Sequence, residues 1–407
     1  MKKWFENIGP ATLITAAFIG PGTVTLCSIA GVNFGYNLLW AMLLSVFATI
    51  VLQEMAARLG IITQKGLSEV LRQEIRNPLF KSVSVFLIIF AIVLGNAAYE
   101  AGNISGGVLG LSAVFPVKNL DLGRFSFNYL SVILGFLAFL ILIRGNYKVL
   151  ERSLIVLVLL MSISFLITAV ITRPDLLAVL KGLFIPSFPE KSLLTIIGLI
   201  GTTVVPYNLF LHASLVKEKW KDAADLPLAR KDTLYAVLIG GLVSVSIIIS
   251  ASASQVETVK NAMDLAEGLV PLYGKIARYF LALGLFAAGI TSAITAPLAA
   301  AYVVKGMLGW QEGLASKKFK AVWIFILILG VLFSSMGFKP IEIIKVAQIA
   351  NGILLPVITG FLLWIMNKKE ILGKYANNTV QNLSGMVILG IMIFLGVKSI
   401  WKVIETF

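Results

Sequence analysis

The sequence predicts an all-α membrane protein that crosses the bilayer many times, and three observations carry that reading. Apolar residues make up 58% of the 407 positions, and mean hydropathy is +0.93. Charged residues are 13% of the chain, where a soluble domain carries about a quarter. The apolar residues are also gathered into runs of about 20 or more, the length a helix needs to cross the hydrocarbon.

Eleven runs reach that length, near 9–32, 36–58, 82–114, 126–144, 152–172, 192–214, 233–253, 276–304, 320–336, 341–366 and 380–401. The run at 82–114 is long enough to tilt, and the one at 341–366 begins among charged residues. If the N-terminus is cytoplasmic and sides alternate, 22 of the 34 Lys and Arg residues fall inside, chiefly in Arg58–Lys81, Lys217–Lys231 and Lys305–Lys320. Positive-inside bias therefore predicts an N-terminus in the cytoplasm and a C-terminus outside, and the expected location is the plasma membrane. The whole of 1–407 reads as one transmembrane domain. The basic start followed by an apolar run is not a cleavable signal, because the run continues past any small-residue cleavage site.

Composition excludes several functions. One cysteine, Cys27, and one histidine, His212, leave no disulfide framework and no cysteine or histidine metal cluster. The net charge of +14 lies in segments between apolar runs and not on one face, so nucleic acid is not the expected partner. The lipid bilayer and a small solute or ion are. No Walker, zincin or dinucleotide motif is present, so neither an enzyme nor an ATP-driven pump is expected, and no cofactor. The oligomeric state is left open.

Two spans are interrupted alike. The first holds Gly20-Pro21-Gly22-Thr23 and the sixth holds "GTTVVPYN", Gly201 to Asn208, each with small residues and a proline near its middle. Pro21 and Pro206 lack an N–H and clash with the preceding turn, so the helical ladder opens there. Freed backbone groups at membrane depth persist only when buried in protein or lining a cavity. A single break is ordinarily a proline kink. A matched pair in two halves of a chain points to a transporter site between inverted repeats.

The residues resemble the NRAMP divalent-metal transporters along nearly the whole chain. "FGYNLLWAMLLSVFATIVLQEMAARLGIITQKGL" is similar to that family's second span and following loop. "KGLFIPSFPEKSLLTIIGLIGTTVVPYNLFLHASLV" is similar to the approach to its sixth, "LALGLFAAGITSAITAPLAAAYVVKGMLGW" to its eighth and "AQIANGILLP" to its tenth. The resemblance implies a LeuT-type fold with 11 transmembrane helices. It is built from two inverted five-helix repeats, about 6–172 and 190–366, with helices 1 and 6 broken and an extra helix at about 380–401. It also implies alternating access around the breaks, with divalent metal as the family-level cargo.

The family's ligand residues are largely replaced. Its Asp-Pro-Gly-Asn matches Gly20, Pro21, Gly22 and Thr23, so the carboxylate and the amide are gone. The alanine whose carbonyl helps bind metal matches Thr202, the methionine Val205, and the histidine linked to proton movement Tyr207. Of two acids in the third span, one matches Ala97 and one is kept as Glu100; the tenth-span glutamine is kept as Gln348.

The expected centre therefore offers Thr23, Thr202 and Thr203 hydroxyls, the Gln348 amide, the Tyr207 phenol and backbone carbonyls, none of them charged. A bare divalent ion faces a desolvation cost of many kcal/mol without anionic ligands. Mg²⁺, which gives up water reluctantly, is less excluded than Mn²⁺ or Fe²⁺. A small polar or carboxylated solute is the alternative, drawn to helix N-termini expected at Gly22 and Tyr207; Gly20 and Gly22 let backbone approach it closely. A non-transporting receptor is a further alternative. Glu100 and His212 are the proton-path candidates, set against a hydrogen-bonded strut for the acid and helix packing for the histidine. Glu54 and Arg58, spaced i,i+4 on the second span, are expected to pair. The small-residue patches at 102–111 and 289–302 read as close helix-packing surfaces.

Overall fold

The computed structural model describes residues 19–115, 119–122, 125–145 and 148–404. Its helices are α1 (Pro21–Phe34), α2 (Leu39–Thr63), α3 (Leu67–Glu74), α4 (Pro78–Ser112), α5 (Tyr129–Arg144), α6 (Lys148–Ile171) and α7 (Leu176–Phe184). They continue with α8 (Leu193–Thr203), α9 (Pro206–Lys219), α10 (Leu226–Ser252), α11 (Ala277–Leu308), α12 (Lys317–Ser335), α13 (Pro340–Met366) and α14 (Thr379–Ile404). Short helical turns lie within 262–276 and 369–375. The described residues are thus mostly helical, as the composition predicts.

Among the described residues, nine helical stretches are long and apolar enough to cross a membrane, and α5 is a shorter apolar helix. Of the predicted first span, residues 9–18 lie outside the described residues, and α1 is its second half. Between α4 and α5, Leu120–Leu122 and Phe125–Phe127 pair as a short antiparallel hairpin that hydropathy did not signal.

The interrupted span sits at the middle of the molecule. Of the apolar window in Leu193–Lys219, 89% is buried, against 28% in Thr379–Lys398, so α8 and α9 are central while α14 is peripheral. Close approach is made by small residues. A Cβ on Gly289 of α11 would stand 2.6 Å from the Gly107 nitrogen of α4, so both predicted small-residue patches meet in one interface. Gly31 of α1 lies against the Ile248 carbonyl of α10, and Gly60 of α2 against the Ala213 carbonyl of α9. Such contacts replace side-chain interdigitation where lipid provides no hydrophobic drive between helices.

The prolines act differently from expectation. Pro21 and Pro206 each occupy the first helical position of α1 and α9, where the missing N–H costs nothing and the fixed φ suits helix entry. The second halves therefore begin at Pro21 and Pro206, one residue earlier than the expected Gly22 and Tyr207.

Candidate functional site at the paired breaks

Gly20 and Val205 are the extended residues that precede α1 and α9; neither helix start carries a side-chain cap or an acidic residue in its first turn. Between α8 and α9 the backbone leaves the helix at Val204 and Val205, both fully buried. The breaks meet through side chains. The Thr23 and Thr202 hydroxyls are 2.9 Å apart in a hydrogen bond, each 1% exposed. Just beyond it, the Leu26 side chain fills the hollow at Gly198, so α1 and α8 are in direct contact.

Gln348 of α13 closes the third side. Its side-chain amide lies on Gly22, where a Cβ would overlap it, and its main-chain carbonyl lies on Gly201. One residue of α13 thus touches both interrupted spans through glycines. Its Oε1 is buried and makes no hydrogen bond among the described residues, and the same holds for Asn351 Nδ2 and for Asn208 Nδ2 and Oδ1. Native interiors rarely leave such atoms unpaired, so each of these four atoms keeps hydrogen-bonding capacity that the described residues do not use.

The other sequence candidates point elsewhere. Thr203 donates to the Leu199 carbonyl at 2.9 Å and approaches the Met42 sulfur. It belongs to the packing of α8 on α2, contrary to its expected place in the centre, because successive helical residues diverge by about 100°. Tyr207 packs edge-on to Tyr99 with ring centroids 5.4 Å apart. Its hydroxyl lies beside those of Tyr99 and Thr295 without closing a hydrogen bond.

Glu100 is fully buried on α4, with its Cβ and Cγ against Gly330 of α12 and only a long 3.4 Å bond from Asn103 Nδ2. His212 Nδ1–H donates to Gln53 Oε1 at 2.7 Å, fastening α9 to α2. Glu100 and His212 therefore belong to different helices, α4 and α9, and among the described residues no hydrogen bond joins them. Among the described residues no group of three His, Cys, Asp or Glu side chains gathers to hold a metal ion.

The expected Glu54–Arg58 pair forms at 3.0 Å, but within a larger cluster. Arg58, 1% exposed, also donates to the Tyr375 carbonyl (2.7 Å), Asn377 Oδ1 (2.8 Å) and Gln381 Oε1 (3.2 Å), while Arg230 Nε donates to Glu54 Oε1 at 2.8 Å. The amide-rich "YANNTVQN" was the available signal for this junction between α2, α10 and the start of α14.

Multi-pass helices packed around the non-helical break at Val204–Val205 and the facing helix start at Pro21 define a membrane protein of LeuT-type fold. The chain belongs to the Natural resistance-associated macrophage protein-like (Nramp) family, whose profile matches residues 11–402. It is similar to the divalent metal cation transporter MntH of Caldanaerobacter subterraneus subsp. tengcongensis, 25% identical over 98% of this chain and 95% of that one. It is also similar to the divalent metal cation transporter MntH of Bacillus subtilis, 26% identical over 95% of this chain and 91% of that one. In fold it resembles a variant of the Eremococcus coleocola manganese transporter, with a TM-score of 0.75 and 19% identity over 98% of this chain and 86% of that one. A nucleobase-cation-symport-1 family transporter with bromovinylhydantoin bound shares the fold more distantly, with a TM-score of 0.58 and 16% identity over 98% of this chain and 93% of that one.

Proposed function

We propose that the chain is a secondary transporter that carries divalent cations by alternating access, and that it carries them with most of their water retained. Relatives named as divalent metal cation transporters support the cargo class. The observation that carries the finer reading is the Thr23–Thr202 hydroxyl pair with the Gln348 side-chain amide laid across Gly22, a neutral ring of two hydroxyls and one amide where the resemblance places carboxylate, amide and thioether.

A neutral ring does not repay the stripping of a divalent ion. It does suit hydrogen bonds from a hydrated one, and Mg²⁺ keeps several waters in most of its sites. Soft transition metals lose their advantage without the thioether. In this reading two repeats, about 6–172 and 190–366, rock about the breaks at Pro21 and Pro206. Gly20, Gly22, Thr23, Thr202, Val205 and Gln348 form or shape the centre, while Tyr207, the residue after Pro206, turns to Tyr99. The cytoplasmic side holds the N-terminus and the Arg58 cluster.

A second reading rests on one observation: two helix starts at the centre have neither a side-chain cap nor an acid in the first turn. Uncancelled positive helix ends favour a small carboxylated solute. Uptake into proteoliposomes separates the two. Mg²⁺ flux that Mn²⁺ competes only weakly supports the first, and flux of an organic acid with no cation flux supports the second. Saturable micromolar Mn²⁺ uptake with no Mg²⁺ uptake overturns the hydrated-cation reading.

A further inference from the structure

A cavity of about 470 Å³ lies where the start of α8 meets the end of α14, lined in part by Phe188, Glu190, Lys191, Ser192, Lys398 and Trp401. We propose that it holds the phosphodiester headgroup of an anionic phospholipid.

Charge supports this first. Among the described residues, Lys191 and Lys398 face the cavity with one carboxylate, Glu190, which leaves a net single positive charge. No ion pair within 4 Å engages either lysine among the described residues. Lys398 Nζ instead stands 5.8 Å from the Phe188 ring and 5.7 Å from the Phe394 ring, held over apolar surface. Lys191 adopts a left-handed backbone (φ 63°) immediately before buried Ser192, a bend that sets its side chain at the cavity rim.

The border of the cavity supplies the second argument. Phe184, Ile185 and Phe188 on one side, and Phe394 and Val397 on the other, are all more than half exposed. Phe394 and Val397 lie near the end of the apolar stretch of α14, so in a bilayer they face acyl chains. Phe184, Ile185 and Phe188 close α7 and lead toward α8 as an exposed apolar ledge, and Trp401, just past the apolar stretch of α14, suits the level where interfacial tryptophans gather. A basic recess continuous with an apolar wall is the shape of an amphiphile; a free anion would use only the recess. Glu190 adds an acceptor for hydroxyls on a headgroup such as glycerol. The site adjoins α8, the helix that ends at the Thr202–Val205 break, so an occupant here braces one half of the interrupted span.

Native mass spectrometry of the full chain, released from mixed micelles with phosphatidylglycerol or phosphatidylcholine, tests the proposal. Retention of phosphatidylglycerol over phosphatidylcholine is expected. Each juxtamembrane lysine contributes about fivefold in affinity for anionic lipid. The K191Q/K398Q variant should therefore lower the preference by roughly 25-fold, while K260Q/K339Q, which removes two exposed lysines elsewhere, leaves it intact. Equal retention of both lipids, an unchanged preference in K191Q/K398Q, or displacement of phosphatidylglycerol by millimolar inorganic phosphate would each overturn it.

Discussion

Two glycines against one glutamine should separate the fold from the site. In Gly201→Ala the added methyl meets the Gln348 carbonyl and the Gly352 nitrogen, the latter at 2.6 Å. Both are backbone atoms of α13, so no rotamer change relieves the overlap and α8 must move away from α13. Alanine in a helix gains about 1 kcal/mol over glycine, while overpacking of a tight interface costs about 1–3 kcal/mol. Rigid backbone on the far side places this site at the upper end, for a net loss of about 2 kcal/mol.

In Gly22→Ala the nearest atoms are Nε2, Cδ and Cγ of the Gln348 side chain, with Cδ at 2.6 Å and Cγ at 3.1 Å. That side chain swings away, so stability should stay within about 1 kcal/mol of the parent while the amide leaves the centre. Thermal unfolding in detergent and proteoliposome uptake, measured on both variants, check this. A fall of several degrees is expected for Gly201→Ala, and lost transport at a near-parental melting temperature for Gly22→Ala. An unchanged melting temperature in Gly201→Ala, or full transport in Gly22→Ala, refutes the placement of Gln348.

Arg58→Met removes one partner of a buried ion pair and three further hydrogen bonds. Because Arg230 still holds Glu54, the loss should fall near the lower end for broken buried pairs, about 3 kcal/mol; thermal unfolding reads it, and an unshifted transition contradicts it. Thr23→Asp returns a carboxylate beside Thr202 and should tighten Mn²⁺ binding on the order of tenfold or more, measured by calorimetry; unchanged affinity shows that ions do not approach this pair. Single cysteines at Lys221 and Lys260, positions that positive-inside bias assigns to opposite faces, should differ toward an impermeant maleimide, K260C reacting in intact cells and K221C only after permeabilisation. Labelling from the same side contradicts the topology.

Much of this was legible from local pattern. Hydropathy located the long apolar helices, although nine and not eleven reach spanning length among the described residues. Small-residue spacing marked two packing faces without showing that they meet, and i,i+4 spacing gave Glu54–Arg58, because each of these signals depends on neighbours in the chain. Partners far apart in sequence were not legible. Arg58 meets Tyr375, Asn377 and Gln381 more than 300 residues away, and His212 finds Gln53 across 159. Within the "GTTVVPYN" break, composition alone could not assign directions. Thr202 turns to Thr23 and Thr203 to Met42, a choice made by one helical step. The prolines marked the breaks but not their edges, since the first helical position tolerates proline as readily as a loop does.

The neutral centre is tested most directly by a crystal structure with bound cation, using Mn²⁺ for its anomalous signal and Mg²⁺ in parallel. Any ion found between Thr23, Thr202 and Gln348 should be ringed by waters at about 2.1 Å, with the protein oxygens outside that first ring. Mn²⁺ bound directly by Thr23, Thr202 or Val205, or by a carboxylate brought into the gap, would contradict the account.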